Sequence, residues 1–253
     1  MDFKFLVEIE KNYISSTGIL HWMPFYSIVS SPIEQMNYIC FLVMPIYLIY
    51  VFNIYERRHY TISVKKTRRN IMNKKVLVIS TSMRQKGNSD QLADEFIKGA
   101  EDAGHTVGKI TLYDKAIHFC KGCLACQNST QGHCVFQDDA DAIIKKMAEA
   151  DVIAFATPIY FYEMSGQMKT LLDRSNPLFP IAYKFRDIYL LTSAADGEKS
   201  AMDGAIKGLQ GWIDCFEEAR LKGVVYGTAS DAMNAILTHP ETLQAAYEMG
   251  SHV

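Results

Sequence analysis

Four of the six cysteines fall together as Cys120-Lys-Gly-Cys123-Leu-Ala-Cys126, and Cys134 follows after seven further residues. Three thiols at this repeat let one compact loop present them to a cubane iron–sulfur cluster, with a fourth ligand arriving after a short excursion. Zinc also takes four thiolates, but its structural sites usually pair two knuckles of two cysteines each, so the tight triple repeat favours iron and sulfide. Reactive or residual thiols without metal are the third reading. Disulfides suit a cytosolic α/β protein poorly. Cys40 and Cys215 stand alone in apolar or helical surroundings and read as packing residues.

A second group, residues 81–89 (TSMRQKGNS), is rich in hydroxyls and amides and holds one glycine and one arginine. It lies between a β-rich run and a helical one. Backbone N–H groups at a helix start favour an anion, while Ser82, Asn88 and Ser89 can donate hydrogen bonds and Arg84 a charge. No lysine follows a GxxxxG and no GxGxxG is present, so neither a P-loop nor a dinucleotide fingerprint is met. A mononucleotide phosphate remains. The plainer reading, a capped helix beside a solvated arginine, needs only one such side chain, and the loop offers several.

The elements that must position these groups alternate. Residues 75–80 (KVLVIS) form a short apolar, β-branched run of the kind found in central parallel strands. Ser89 can cap the helix after it, with Leu92, Phe96 and Ala100 at helical spacing and Gly104 as the stop. Residues 106–112 read as a strand, Asp138 or Asp139 caps a helix with Ile143, Ile144 and Met147, and 152–157 (VIAFAT) follows as a strand. Helices over about 165–175 and 201–219 precede the strands DIYLLTS and GVVYGTA, and HPETLQAAYEMG closes the chain. Five strands separated by helices give a doubly wound parallel sheet with right-handed crossovers. Ligands of such sheets sit where the strand order reverses, at the loops after Ser80, Thr157 and Ser193.

Residues 82–89 (SMRQKGNS), 157–162 (TPIYFY) and 169–174 (KTLLDR), in that order on those elements, resemble the flavodoxin-like NADPH-dependent FMN reductases and iron–sulfur flavoproteins. The likeness covers roughly residues 74–253. It implies that Ser82, Arg84, Asn88 and Ser89 hold the FMN phosphate and that Pro158, Ile159, Tyr160 and Phe161 line the isoalloxazine. Thr192 and Ser193, opening the third loop (TSAADG), would touch the ring or ribityl chain. It further implies NAD(P)H as co-substrate, a homodimer, and a [4Fe-4S] cluster on Cys120, Cys123, Cys126 and Cys134. The family has proline where this chain has Met83. Flavin hydride transfer needs no protein acid or base for its main step, so no catalytic side chain is assigned and His118, His133 and His239 read as loop histidines. Asp173 and Arg174 read as a pairing or capping couple.

Composition sets the remaining bounds. Before Met72 stand eight basic and five acidic residues, and from there on 18 basic face 23 acidic, for a net charge of -2. With no basic face to neutralise many phosphates, a nucleic-acid partner is excluded. The boundary is expected near 67–72, dividing an N-terminal, mostly helical extension (1–71) from a flavodoxin-like domain (72–253). Residues 38–55 carry no charge over eighteen positions and precede six basic residues, so they are a candidate membrane segment holding the domain in the cytoplasm. Alternatively the gene start is over-long and Met72 opens the working, cytoplasmic protein. The expected activity is electron transfer from NAD(P)H through FMN to a quinone, flavin, small aromatic or protein. The competing reading is an iron–sulfur electron carrier or redox sensor that turns over no small molecule.

Overall fold

The structure is a computed structural model that describes residues 73–128 and 132–253. These fall in one compact unit, Thr67–Val253. The candidate membrane segment 38–55, Cys40 and the rest of the 1–71 extension lie outside the described residues. Among the described residues no helix is long and apolar enough to cross a membrane.

In chain order the elements are β1 (Lys75–Ser80), α1 (Asn88–Asp102), β2 (Thr106–Thr111), the short α2 (Ala125–Asn128), α3 (Ala140–Glu149), β3 (Val152–Tyr160), β4 (Glu163–Met164), α4 (Gly166–Arg174), β5 (Asp187–Ser193), α5 (Asp203–Ile213), β6 (Arg220–Gly227) and α6 (Pro240–Ser251). Five strands run parallel in the order β2-β1-β3-β5-β6, and β4 adds a two-residue antiparallel pair to the end of β3. This is the flavodoxin-like doubly wound sheet. The winding reverses between β1 and β3, whose pairing is carried past the strand by the bond from Thr81 N–H to the Ala156 carbonyl, 2.8 Å.

Side chains alternate across the strands, and both faces are covered. Leu77, Ile79, Ile153, Phe155 and Ile188 pack against α3, α4 and α5. Val76, Val78, Ala154, Ala156 and Leu191 pack on the other side against Leu92, Ala93 and Phe96 of α1 and Ala246 of α6. Each fully buried large apolar side chain contributes about 1.5–3 kcal/mol.

Local details depart from the sequence reading at several places, the last strand among them, which begins at Arg220 and ends at Gly227. Helix α1 begins at Asn88 with Gly87 as its N-cap and no side-chain capping bond, so Ser89 sits inside the first turn instead of capping it. The helix expected over 201–219 is a 3-10 turn (Lys199–Met202) followed by α5, which tightens after Ile213 because Phe216 turns inward to stack on Phe179 and pack against Trp212. Strand β3 runs on to Tyr160 because β4 folds back to pair with it. The stop at Gly104 is met in the left-handed region, φ +96.

Candidate functional site

The loops after β1, β3 and β5 leave the same edge of the sheet. In the first, Gly87 N–H donates to the Arg84 carbonyl (3.0 Å) and Ser82 Oγ to the same oxygen (2.9 Å), while Arg84 N–H donates to Ser82 Oγ (3.2 Å). The loop is thus folded on itself and leads α1 in N-terminus first. A Cβ on Gly87 would stand 2.5 Å from Ser82 Oγ and 3.2 Å from the Arg84 carbonyl, so a larger residue there would displace the Ser82 hydroxyl. Ser80 Oγ and Ser89 Oγ, at either end of the loop, are buried and have no hydrogen-bond partner among the described residues. Two orphaned hydroxyls beside a helix start, whose first N–H groups lack intrahelical acceptors, fit a phosphate. Asp90 would oppose that anion, but Lys109 pairs with it at 2.7 Å.

Of the residues named for this loop, Ser82 and Ser89 are buried and Arg84 is exposed. Asn88 has another occupation: its amide donates to the carbonyls of Ser230 (2.8 Å) and Ala232 (2.9 Å), and its Oδ1 accepts from Ile236 N–H (3.3 Å). It ties the start of α1 to the loop after β6. No local signal could have shown this, since the partners stand over 140 residues away.

The second loop is a two-residue hairpin. Ile159 pairs with Met164 and Tyr160 with Glu163, which leaves Phe161 (φ +51) and Tyr162 (φ +65) as the turn, both left-handed. Such turns ordinarily take asparagine or glycine, and a larger residue there costs about 1–2 kcal/mol. Phe161 is nonetheless fully exposed, with Tyr160 and Tyr162 exposed beside it. Pro158 and Ile159 are half-buried at the strand end. Beneath the hairpin Thr81 Oγ1 meets Ser165 Oγ at 2.9 Å, and Ser165 N–H donates to Thr157 Oγ1 at 3.0 Å. At the third loop Thr192 is buried with its hydroxyl donating to the Val225 carbonyl (2.7 Å), and Ser193 is buried in register with Pro158. Thr81, Ser165 and Gly87 were not singled out from sequence, although a hydroxyl pair flanking two loops is a signal that could have been read.

The cysteines converge. Gly122 (φ +63) and Leu124 (φ +57) turn the chain between the first three, and Cys120, Cys123, Cys126 and Cys134 line one pocket walled by Leu124, Val135, Phe136, Arg174 and Pro177. Gly122 N–H donates to Cys120 Sγ at 3.4 Å and Asn176 Nδ2 approaches it at 3.9 Å. Burial and repulsion from Cys134, Cys120 and Cys123 push the Cys126 thiol pKa up, a penalty that a cationic centre bound there would relieve. As they stand, no three His, Cys, Asp or Glu side chains among the described residues can hold a single metal ion. The donor chemistry nonetheless fits a soft, sulfide-bridged cluster, whose ligands ring a larger body.

Behind the pocket, Arg174 is 1% exposed, donating to both Asp138 oxygens (2.6 and 3.0 Å) and to the His118 carbonyl (2.8 Å). Asp138 also accepts from His118 N–H (2.9 Å) and Ala140 N–H (3.1 Å), so it joins both ends of the cysteine segment to α4. The sequence offered Arg174 only as a pairing or capping residue beside Asp173; its partner lies 36 residues back. Asp173 pairs instead with Lys169, 2.6 Å.

Known proteins bear on this arrangement. The family model described as NADPH-dependent FMN reductase matches residues 74–206. A Bacillus subtilis protein named as an NAD(P)H-dependent FMN-containing oxidoreductase, YwqN, is 32% identical over 186 residues, which is 68% of this chain and 94% of that one. The iron–sulfur flavoprotein MJ1083 of Methanocaldococcus jannaschii is 42% identical over 104 residues, 41% of this chain and 53% of its own. The chain spans about half the length of such iron–sulfur flavoprotein relatives. Among solved structures, an NAD(P)H:quinone oxidoreductase from Methanothermobacter marburgensis superposes with a TM-score of 0.58 at 16% identity, over 71% of this chain and 96% of that one. An azoreductase from Bacillus anthracis gives 0.56 at 18% identity, over 71% and 100%. These two likenesses speak to the fold.

Proposed function

Because the chain belongs to the NADPH-dependent FMN reductase family, we propose that its α/β unit holds FMN at the β1–β3 switch point and passes electrons from NAD(P)H to a quinone, a flavin, a small aromatic or a protein acceptor. The observation that carries this reading is the pair of buried, unpartnered hydroxyls of Ser80 and Ser89 flanking a helix start. When bound, FMN supplies the hydride and single-electron chemistry.

The chain's own residues bind and orient. Ser82, Arg84 and Ser89 receive the phosphate, with Asn88 contributing through its backbone while its side chain locks the loop after β6. Pro158, Ile159, Tyr160 and Phe161 wall the isoalloxazine, where rings can stack and exclude water. Thr192 and Ser193 shape the floor through the strand ends, since the Thr192 hydroxyl is spent inside the sheet. The exposed Phe161 supports a homodimer in which a second copy covers the hairpin, and a cytoplasmic site of action is proposed with it.

The test is direct. Protein purified from cells should be yellow, or should quench added FMN fluorescence, and should then consume NAD(P)H with a quinone present. Colourless protein that ignores FMN removes the reading.

The convergence of Cys120, Cys123, Cys126 and Cys134 on one pocket favours a further reading, in which they hold a [4Fe-4S] cluster that exchanges electrons with the flavin and the protein serves as a carrier or sensor. Iron and sulfide counts on anaerobically purified protein decide it; their absence from flavin-loaded protein leaves the reductase reading alone.

A further inference from the structure

A guanidinium sealed from water behind a cysteine pocket calls for an account. Replacing a buried ion pair by apolar side chains is often neutral for stability, so the Arg174–Asp138 couple is weakly explained as a stability device. Arg174 is moreover not fully used. Its Nη atoms serve Asp138 and His118, but the buried Nε–H has no acceptor among the described residues, while the side chain forms part of the pocket wall. Its charged carbon also stands 5.1 Å from the centroid of the Phe136 ring. An unpartnered donor on the wall of a pocket lined by four cysteines is a hydrogen bond open to a ligand.

We propose that Arg174 is a positioning residue of the cysteine pocket: buttressed by Asp138, it sets a fixed positive charge against the thiolate group held there and gives that group its free Nε–H bond. This rests on the reading of the pocket as a cluster site. A positive charge beside a cluster favours the reduced, more negative state, and Asp138 partly cancels it.

The experiment uses the full chain purified anaerobically, with iron and sulfide counted and the cluster midpoint potential read by visible absorbance in a redox titration. Arg174→Gln should move the potential to more negative values, Asp138→Asn to more positive ones, and Arg174→Lys, which keeps the charge but not the Nε–H bond, should move it in the direction of Arg174→Gln by a smaller amount. Opposite signs follow from charge; a purely structural role gives shifts of one sign, or none, with lowered iron content, and either overturns the proposal. If Arg174→Gln fails to fold by circular dichroism, the other two variants carry the test: a positive shift confined to Asp138→Asn supports it, and equal shifts in both overturn it. Wild-type protein without iron and sulfide overturns the cluster reading and this one with it, whereas iron present with same-sign shifts overturns only this one.

Discussion

Thr81 Oγ1 and Ser165 Oγ lie 2.9 Å apart, and through them the loop leaving β1 is stitched to the start of α4 directly beneath the aromatic hairpin. Ser165 also caps α4, accepting from Met168 N–H at 3.3 Å. Ser165→Ala removes both bonds at once. A lost cap and the lost bond to Thr81, whose hydroxyl keeps the Ala156 carbonyl (3.1 Å), together cost about 1–2 kcal/mol, read as a lowered Tm, and FMN affinity should fall because the two loops no longer hold a common geometry. Unchanged FMN affinity in the variant would disconnect this tie from the flavin site.

Ser89 separates stability from binding. In the ligand-free protein its buried hydroxyl has no partner, so Ser89→Ala should leave stability unchanged or raise it by up to about 1 kcal/mol. If the hydroxyl serves a phosphate, the same change should weaken FMN about tenfold, the effect of about 1.4 kcal/mol. Thermal melts with and without FMN read both quantities. A variant destabilised in the absence of flavin would show that the hydroxyl has a structural partner instead.

Much of this was legible in the sequence because it is local. The β-branched runs and the helix spacings report burial within one element, and all five parallel strands stand where those patterns put them. The convergence of the cysteines was also foreseeable from spacing, since three thiols within seven residues have nowhere else to go. What the sequence hid is contact made at long range. Asn88 looked like a phosphate donor because its type suits a helix start, and only the folded chain reveals that its amide is held by Ser230 and Ala232. Arg174 looked like an exposed partner of Asp173 because they are adjacent, yet neighbours on a helix point apart, and the residue turns inward to Asp138.

The hairpin stores strain where the site is most exposed. Phe161 and Tyr162 occupy left-handed backbone that asparagine and glycine adopt readily. The double substitution Phe161→Asn, Tyr162→Gly should therefore raise stability by about 1 kcal/mol, while slowing NAD(P)H oxidation by the flavin-loaded protein and favouring the monomer. Sedimentation and stopped-flow measurements check the two losses. Faster turnover or an unaltered assembly state would mean the aromatics are retained for some other reason.

Asp138 ties acid stability to the cysteine pocket. Burial alone would raise its pKa, but the Arg174 fork and the N–H groups of His118 and Ala140 overcome that and hold it well below the usual carboxylate range. A depressed folded-state pKa means the stabilisation is complete above the unfolded value, about 3.9, and is lost as pH falls below it toward the folded value. At neutral pH, Asp138→Asn should cost about 3 kcal/mol, because it strands a buried guanidinium. That deficit should shrink as pH drops below about 4, where the wild-type carboxylate begins to lose its advantage. The double variant Asp138→Asn, Arg174→Met removes the stranded charge and should recover most of the loss at neutral pH. Denaturant titrations from pH 3 to 7 measure all three proteins. A double variant as weak as Asp138→Asn alone, or a pH-independent deficit, would place the cost in packing and not in the buried charge.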